Sequence, residues 1–427
     1  LPARRRRDMI LAYQNERAGK TECSVWNGSQ AYPLLTWTDG IKVRQRNIRL
    51  GQPSRSIYIE QTGRQQLPML VEEIVSKNGC VGIVVNTVRQ AQQLARELMD
   101  IFPEKSVLLI HACFLMADRS ERENKLLQLL GKQSDSNQRK GLIVVGTQIL
   151  EQSLDIDFDA LITQLCPMDL LLQRLGRLHR HQRQRPSGLE KAVCTVLDQD
   201  APDDGTAAIY GKWLLYRTAR LIPKQILLPD DISPLVQQTY QNGPEVLPEG
   251  DPALVFWQEH QQTIKRKESR AKKFRIPNFD ELDETIHGLL DNNLGDGEWA
   301  AQASVRDGTP GLEVLVLEWR GSGEVAFLPW QFDGAVVPGD RIPSQQECKR
   351  ILQQRLRLPS ALCGERLDGT IAALERLRQL VVPEWSHAPL LQEELFLFVD
   401  EQGKTELCGY QLAYTREMGL QYERKEE

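Results

Sequence analysis

The sequence predicts an α/β protein: a doubly wound parallel sheet, then a helical linker, then a smaller α+β C-terminal domain. Three observations predict it. From Ser56 onward, short apolar runs alternate with amphipathic stretches, the pattern of buried parallel strands flanked by helices. After Leu197 the composition shifts abruptly to DQDAPDDG, a boundary signal rich in Asp, Pro and Gly. Past about residue 300, strand-like patterns return between two helical ones.

In chain order, the expected strands of the first sheet are 56–61 (SIYIEQ), 80–86 (CVGIVVN), 106–110 (SVLLI), 142–147 (LIVVGT), 159–164 (DALITQ) and 191–197 (KAVCTVL). Helical stretches lie between them at 66–77, 87–101, 117–130 and 169–178. The second of these carries apolar residues at 88, 91, 94, 95 and 98, one face of a helix. A helix around 205–221, a Pro/Gly-rich stretch at 222–252 and a helix over 252–274 with a strongly basic end make up the linker. The tail is expected to hold strands at 312–319, 324–329, 395–400 and 407–415 and helices at 344–356 and 367–380. Residues 1–50 read as a helix followed by loops and strands. The divisions are therefore 1–55 as a connector, 56–200 as the parallel-sheet domain, 201–298 as the linker and 299–427 as the α+β domain.

Of 427 residues, 41% are hydrophobic and 26% charged, ordinary values for a globular chain, and no apolar run approaches the roughly 20 residues that span a bilayer. A formal net charge of -5 argues against a protein whose whole surface coats nucleic acid, yet leaves room for a local basic path. The eight cysteines are scattered, with no CxxC pair and no zinc spacing, which fits reduced thiols in the cytoplasm. The chain starts Leu-Pro-Ala and has an Arg run without an apolar signal core, so the start reads as a cut within a longer protein.

The strongest chemical signal is QRLGRLHRH, Gln173 to His181. At helical spacing Gln173, Arg174, Arg177 and Arg180 fall on or near one face. Transfer of a γ-phosphoryl group to water spreads charge over equatorial oxygens, and a positioned guanidinium stabilises that charge better than a mobile ammonium. Alone, an arginine cluster reads as a solvated face; the glutamine, the glycine and the register set this one apart. The second signal, VVGTQILEQSLDIDFD from Val144 to Asp159, is a strand ending in Gly146-Thr147 whose turn offers N–H groups and a hydroxyl to a phosphate, with Asp155 on the loop beyond. An ordinary capped βα turn would look the same. Because 144–159 and 173–181 flank one strand, both are expected to open at the carboxyl edge of the sheet, where open α/β folds bind ligands. Two weaker signals are Asn86-Thr87 before helix 87–101 and His111-Ala112-Cys113-Phe114 with Asp118-Arg119.

In order, NT, HACF...DR, VGTQILEQSLDID and QRLGRLHR resemble motifs IV to VI of superfamily 2 helicases, in their second RecA-like domain. More narrowly, the forms EQSLDIDFD and QRLGRLHRH resemble the signature helicase-nuclease of type I CRISPR interference, its I-E branch in particular. The resemblance is close from about 80 to 200 and looser toward the C-terminus. It implies that Arg177 and Arg180 contact the γ-phosphate of ATP, bound with Mg2+ jointly with a first RecA-like domain. Gln173 positions water or phosphate, Arg174 joins the nucleotide site, and Asp155 touches the ribose or couples the nucleotide to its neighbours. It also implies that Asn86, Thr87, His111, Arg119, Thr147 and Gln148 line a single-stranded DNA path, and that partners are the first motor domain, an HD nuclease domain and a crRNA-guided surveillance complex, with no membrane. His179 stands where most superfamily 2 motifs have Gly, and Cys113 where related sequences often carry Arg.

Within the 427 residues, Gly19-Lys20-Thr21 and Gly403-Lys404-Thr405 lack the glycine a P-loop needs five places earlier, since Gln14 and Phe398 stand there. Asp283-Glu284-Thr285-Ile286-His287 has one residue too many for a DExH box, and no histidine is followed by Asp. The chain on its own is therefore expected to be inactive. A DExH-type RNA helicase segment and a non-catalytic nucleic-acid-binding remnant are the alternative readings.

Overall fold

A computed structural model describes residues 2–18, 25–39, 42–48, 54–151, 154–198, 202–241, 250–251, 253–273, 311–321 and 323–425. Gly19-Lys20-Thr21 and the 283–287 segment fall outside them. The chain forms two compact units: Leu1–His111 with Arg122–Trp257, and Ala112–Glu121 with Gln258–Glu427.

The first unit begins with α1 (Ala3–Ala18) and a hairpin of β1 (Leu34–Thr38) and β2 (Val43–Asn47). Its sheet comprises β3 (Arg55–Thr62), β4 (Val81–Val84), β5 (Val107–Ile110), β6 (Ile143–Gly146), β7 (Ala160–Gln164), β8 (Val193–Leu197) and β9 (Gln225–Leu228), in the order β5-β6-β4-β7-β8-β3-β9. All neighbours are parallel except β9, which runs antiparallel along the edge. Helices α2 (Leu67–Ser76), α3 (Val88–Ile101), α4 (Met116–Leu130), α5 (Ser136–Arg139) and α6 (Met168–Leu175) occupy the crossovers. Strands β4, β6 and β7 are buried at every position, which is why they read as unbroken apolar runs rather than alternating ones. The register pairs Val84 with both Gly146 and Thr163, so the carboxyl ends of β4, β6 and β7 lie side by side.

Three expectations change here. The helix around 205–221 is two, α7 (Asp204–Tyr210) and α8 (Lys212–Leu221), broken at Gly211, whose φ of 80° a helix cannot hold. The stretch 222–252 contains the edge strand β9 and helix α9 (Ile232–Thr239) as well as loops. Helix α6 stops at Leu175, short of 178. The basic helix is α10 (Ala253–Lys273).

In the second unit β10 (Glu313–Gly321) pairs antiparallel with β11 (Glu324–Ala326) and β13 (Arg355–Arg357) and parallel with β14 (Phe396–Val399), while β12 (Val336–Pro338) extends β11. Helices α11 (Gln345–Leu352), started by a Ser344/Glu347 capping box, and α12 (Leu367–Val381) accompany this sheet. Trp385, fully buried, packs edge-on against Phe396 and so belongs to the core rather than to a stacking surface. The expected strand 407–415 is interrupted by a turn at Cys408-Gly409, and β15 (Lys404–Leu407), β16 (Tyr410–Thr415) and β17 (Gly419–Arg424) form an antiparallel sheet. Gly403-Lys404-Thr405 is thus the start of a hairpin strand, not a helix-capping phosphate loop. The sequence assigns 112–121 to the parallel-sheet domain; the structure groups it with the C-terminal unit.

Candidate nucleotide and nucleic-acid sites

After β6 the chain turns at Thr147, and the described residues 147–151 and 154–159 form a strap that leads to the start of β7. After β7, α6 carries it back again, about 12 Å for eight residues. The two return segments run side by side: Phe158 N donates to Arg177 O at 2.9 Å and His179 N to Phe158 O at 3.1 Å, a parallel bridge of Phe158 with Leu178. The Phe158 ring lies against Gly82 of β4, where a Cβ would come within 2.6 Å of it. Arg55 caps the turn from the other side, donating to Leu175 O, Leu178 O and His179 O at and just beyond the end of α6.

The three aspartates of the strap divide by burial. Asp157 is 0% exposed and Asp159 is 2%. Arg185 donates to both, at 3.0 and 2.8 Å, Arg139 reaches Asp159 at 3.0 Å, and Arg183 Nε lies 2.8 Å from Asp157. Asp157 also accepts the Arg180 backbone N–H at 2.7 Å. This buried cage fixes the turn. Burial and then Arg185 lower the His179 pKa, while its Nε2, 3.0 Å from Asp159 O, acts in the opposite direction.

Asp155 is exposed and holds the Arg180 guanidinium, whose hydrogen bond depresses the carboxyl pKa. Arg177, half-buried beside it, donates to Leu150 O at 3.3 Å and Glu151 O at 2.8 Å. Burial and the neighbouring Arg180 lower its pKa. Arg177, Arg180 and Asp155 therefore converge on the strap, as expected. They do so beside the start of β7, not at the carboxyl edge, because α6 has carried the chain the full length of the strand. That corrects the expectation of a shared carboxyl-edge opening. The single helical face also fails: α6 ends before Arg177, and His179 takes a positive φ of 48°.

Arg174 differs from both. It is 1% exposed, and its Nε donates to Glu151 Oε1 at 2.7 Å, Nη1 to Thr163 Oγ1 at 2.6 Å and Gln164 O at 3.1 Å, and Nη2 to Asn86 Oδ1 at 2.9 Å. Helical side chains lean toward their N-terminus, so this one reaches back to the carboxyl ends of β4 and β7. With its donors committed, Arg174 cannot serve a nucleotide without abandoning a buried carboxylate. Asn86, also 1% exposed, is equally committed: Nδ2 donates to Leu165 O and Thr206 Oγ1, and its backbone N to Gln164 Oε1. Gln148 Nε2 donates to Asn86 O at 3.0 Å and Tyr210 Oη at 2.9 Å. Asn86 and Arg174 are thus framework, which corrects their assignment as ligand contacts.

Of the remaining expected residues, Thr87 caps α3 by accepting from Gln90 N, Thr147 and His111 are buried, Gln173 is exposed and Arg119 is half-buried with its Nε enclosed. Gln173 donates only a long bond, 3.3 Å, to Asp169 O. Sequence reasoning missed Glu151, which binds Arg174 through its side chain and Arg177 through its carbonyl and so ties the framework to the open arginines. A charged residue inside an otherwise apolar QILEQ turn was the available signal.

Two family descriptions match the chain in order: "CRISPR-associated nuclease/helicase Cas3, C-terminal" over residues 77–183 and "Cas3 C-terminal domain" over 306–420. A "CRISPR-associated nuclease/helicase Cas3" of Streptococcus thermophilus is 37% identical across 99% of this chain, which spans 47% of that relative. A solved structure described as a CRISPR-associated protein superposes with a TM-score of 0.82 and 26% identity over 99% of this chain and 47% of the other. The fold also matches, at a TM-score of 0.75 and 20% identity over 98% of this chain and 52% of the other, a chain in a structure titled "CRISPR RNA-guided surveillance complex, pre-nicking". The chain thus spans about half the length of the relatives it matches, and with the two descriptions falling in the same order along it, it belongs to the Cas3 family and corresponds to that family's C-terminal half.

Proposed function

We propose that this chain supplies the second RecA-like motor domain and the C-terminal domain of an ATP-driven, 3′-to-5′ single-stranded-DNA translocase that degrades foreign DNA in the cytoplasm. Its nuclease and first motor domain would lie outside these residues, and a crRNA-guided surveillance complex of the type I, I-E-like class would deliver the opened DNA. The observation that carries the reading is the convergence of Arg177 and Arg180 on the one exposed carboxylate among the strap's described residues, Asp155, backed by a buried cage that fixes the turn.

ATP with Mg2+, when bound, supplies the phosphoryl group whose transfer to water drives movement. The donor set fits its terminal phosphates: Arg180 is exposed and answers one exposed carboxylate, and Arg177 Nη1 has no hydrogen-bond partner among the described residues. Arg177 and Arg180 would hold the phosphates against a site on the first motor domain, Asp155 would orient Arg180 and meet the ribose, and Gln173, exposed on α6, would position water. Thr87 and Gln148 would follow the DNA strand from the edge that the Asn86–Arg174 framework stiffens, with the buried Thr147 and His111 supporting that edge from within, and Arg119 would be a separate phosphate contact. The test is turnover. The complete protein should hydrolyse ATP faster with single-stranded DNA than with RNA, and the 427-residue chain alone should show negligible ATPase. Strong strand-stimulated hydrolysis by the chain alone, or a preference for RNA, would overturn the proposal.

A further inference from the structure

The hairpin of β1 and β2, in the first unit, pairs with neither of the larger sheets, and its two faces differ. Two strands alone are marginal in water, so one face has to rest on something. The inner face does: Gln45, opposite Thr36, donates to Thr36 Oγ1 at 3.2 Å and to Trp26 O at 2.9 Å in the turn Val25–Gly28. Leu34 and Val43 are half-buried on the same side.

The outer face is open. Period-two alternation puts Leu35 and Trp37 of β1 on it, and the register sets Arg46 opposite Leu35 and Arg44 opposite Trp37. Leu35 is 50% exposed and Trp37 is 41%. The result is two rows, an apolar one along β1 and a cationic one along β2. Neither guanidinium is tied up within the fold. Arg46 meets no carboxylate among the described residues, and Arg44 lies 3.4 Å from Asp39, whose other oxygen accepts the Lys42 backbone N–H at 2.8 Å and so holds the hairpin turn. Over residues 32–48 three cations, Lys42, Arg44 and Arg46, stand against that one carboxylate.

Residues two apart on one face of a strand are separated by roughly 7 Å, a spacing that suits consecutive phosphates of an extended single strand. An exposed indole beside them offers the flat surface that base stacking needs. A peptide strand presents one row of side chains to a surface, whereas a nucleic-acid strand presents two, bases and phosphates, and the outer face has two rows to meet them.

We propose that the outer face of the hairpin is a single-stranded-DNA contact in which Trp37 stacks on a base while Arg44 and Arg46 bind neighbouring phosphates. It rests on the DNA-translocase reading above and adds to it a contact outside every helicase-like motif of the sequence.

Binding of a fluorescent oligothymidylate and of an abasic oligonucleotide of equal length to the complete protein, over a range of salt, tests the contact, with basal ATPase as the control for folding. Trp37→Ala should weaken the oligothymidylate about tenfold, as expected for one stacked base, and leave the abasic strand bound as before; Trp37→Phe should recover most of the loss. Arg46→Ala should weaken both oligonucleotides and lower the slope of log affinity against log salt by about 0.7, one phosphate on a single strand. Arg44→Ala should do the same. Equal losses on both oligonucleotides in Trp37→Ala, or an unchanged salt slope in both arginine variants, would overturn the proposal. So would variants that bind DNA as wild type does but lose capture by the surveillance complex, since the face would then dock a protein. If the wild-type protein binds neither oligonucleotide, the DNA-translocase reading fails, and this contact with it.

Discussion

The two ends of the parallel sheet hold polar residues of similar type in opposite states. At the carboxyl edge Asn86, Gln148, Thr163, Gln164 and Arg174 are bonded to one another, and Glu151 joins the set through Oε1. Beside the start of β7, Arg177 and Arg180 have weaker commitments and an exposed carboxylate for company. Three residues of sequence separate Arg174 from Arg177. The difference teaches that an arginine in a phosphate motif is read by its unspent donors: a guanidinium with every N–H used inside the fold is architecture, and one facing a surface carboxylate can exchange it for an anion.

Four substitutions test that contrast. Arg180→Ala in the complete protein should lower ATP turnover by about 10³ or more if the guanidinium stabilises the transferring phosphoryl group. It should scarcely alter melting, since an exposed pair contributes at most ~1 kcal/mol; unchanged turnover would refute the role. Glu151→Ala should do the reverse, destabilising the chain by about 3–5 kcal/mol in denaturant unfolding, because it leaves the buried Arg174 charge without its carboxylate. A cost under ~1 kcal/mol would mean that the pair is not buried as described. Asp155→Asn should cut turnover roughly tenfold through a loosened Arg180 while changing stability by less than ~1 kcal/mol, and activity equal to wild type would remove Asp155 from the site.

The smallest effect concerns pH. His179 has a lowered pKa in the folded chain, so the unfolded chain binds its proton first. The contribution is complete above the unfolded value of about 6.5 and is lost as pH falls below it, with a slope of at most ~1.4 kcal/mol per pH unit for one proton. His179→Asn, which tolerates the positive φ, should flatten the acid limb of a melting-temperature profile below about pH 6.5. An unaltered limb would mean that His179 titrates freely.

The parallel strands were legible because burial on both faces writes itself as apolar runs such as VGIV and IVVG. Strand β9 was not: QILL is four residues long, alternates in burial and lies between Pro223 and Pro229, where composition says loop. The convergence of 144–159 with 173–181 was legible from motif order, whereas its location was not, since spacing along a chain does not tell at which end of a strand a crossover helix stops. Spacing also grouped Arg174 with Arg177, because helical periodicity assigns a face but cannot say how far a long side chain reaches. Asp157 and Asp159 looked like Asp155 in the sequence; three arginines brought in from 139, 183 and 185 separate them.

The discontinuous make-up of the C-terminal unit constrains how the molecule can be taken apart. No single cleavage of the main chain releases that unit whole, since ten of its residues are threaded through the middle of the other. A chimera that swaps tails between relatives at residue 257 would graft new partners onto an old 112–121 loop. Such a hybrid needs Leu115, Asp118 and Glu121 exchanged along with Trp330, Gln331, Tyr414 and Arg416, since the bonds among these residues all lie within the C-terminal unit and its two segments have to be inherited together.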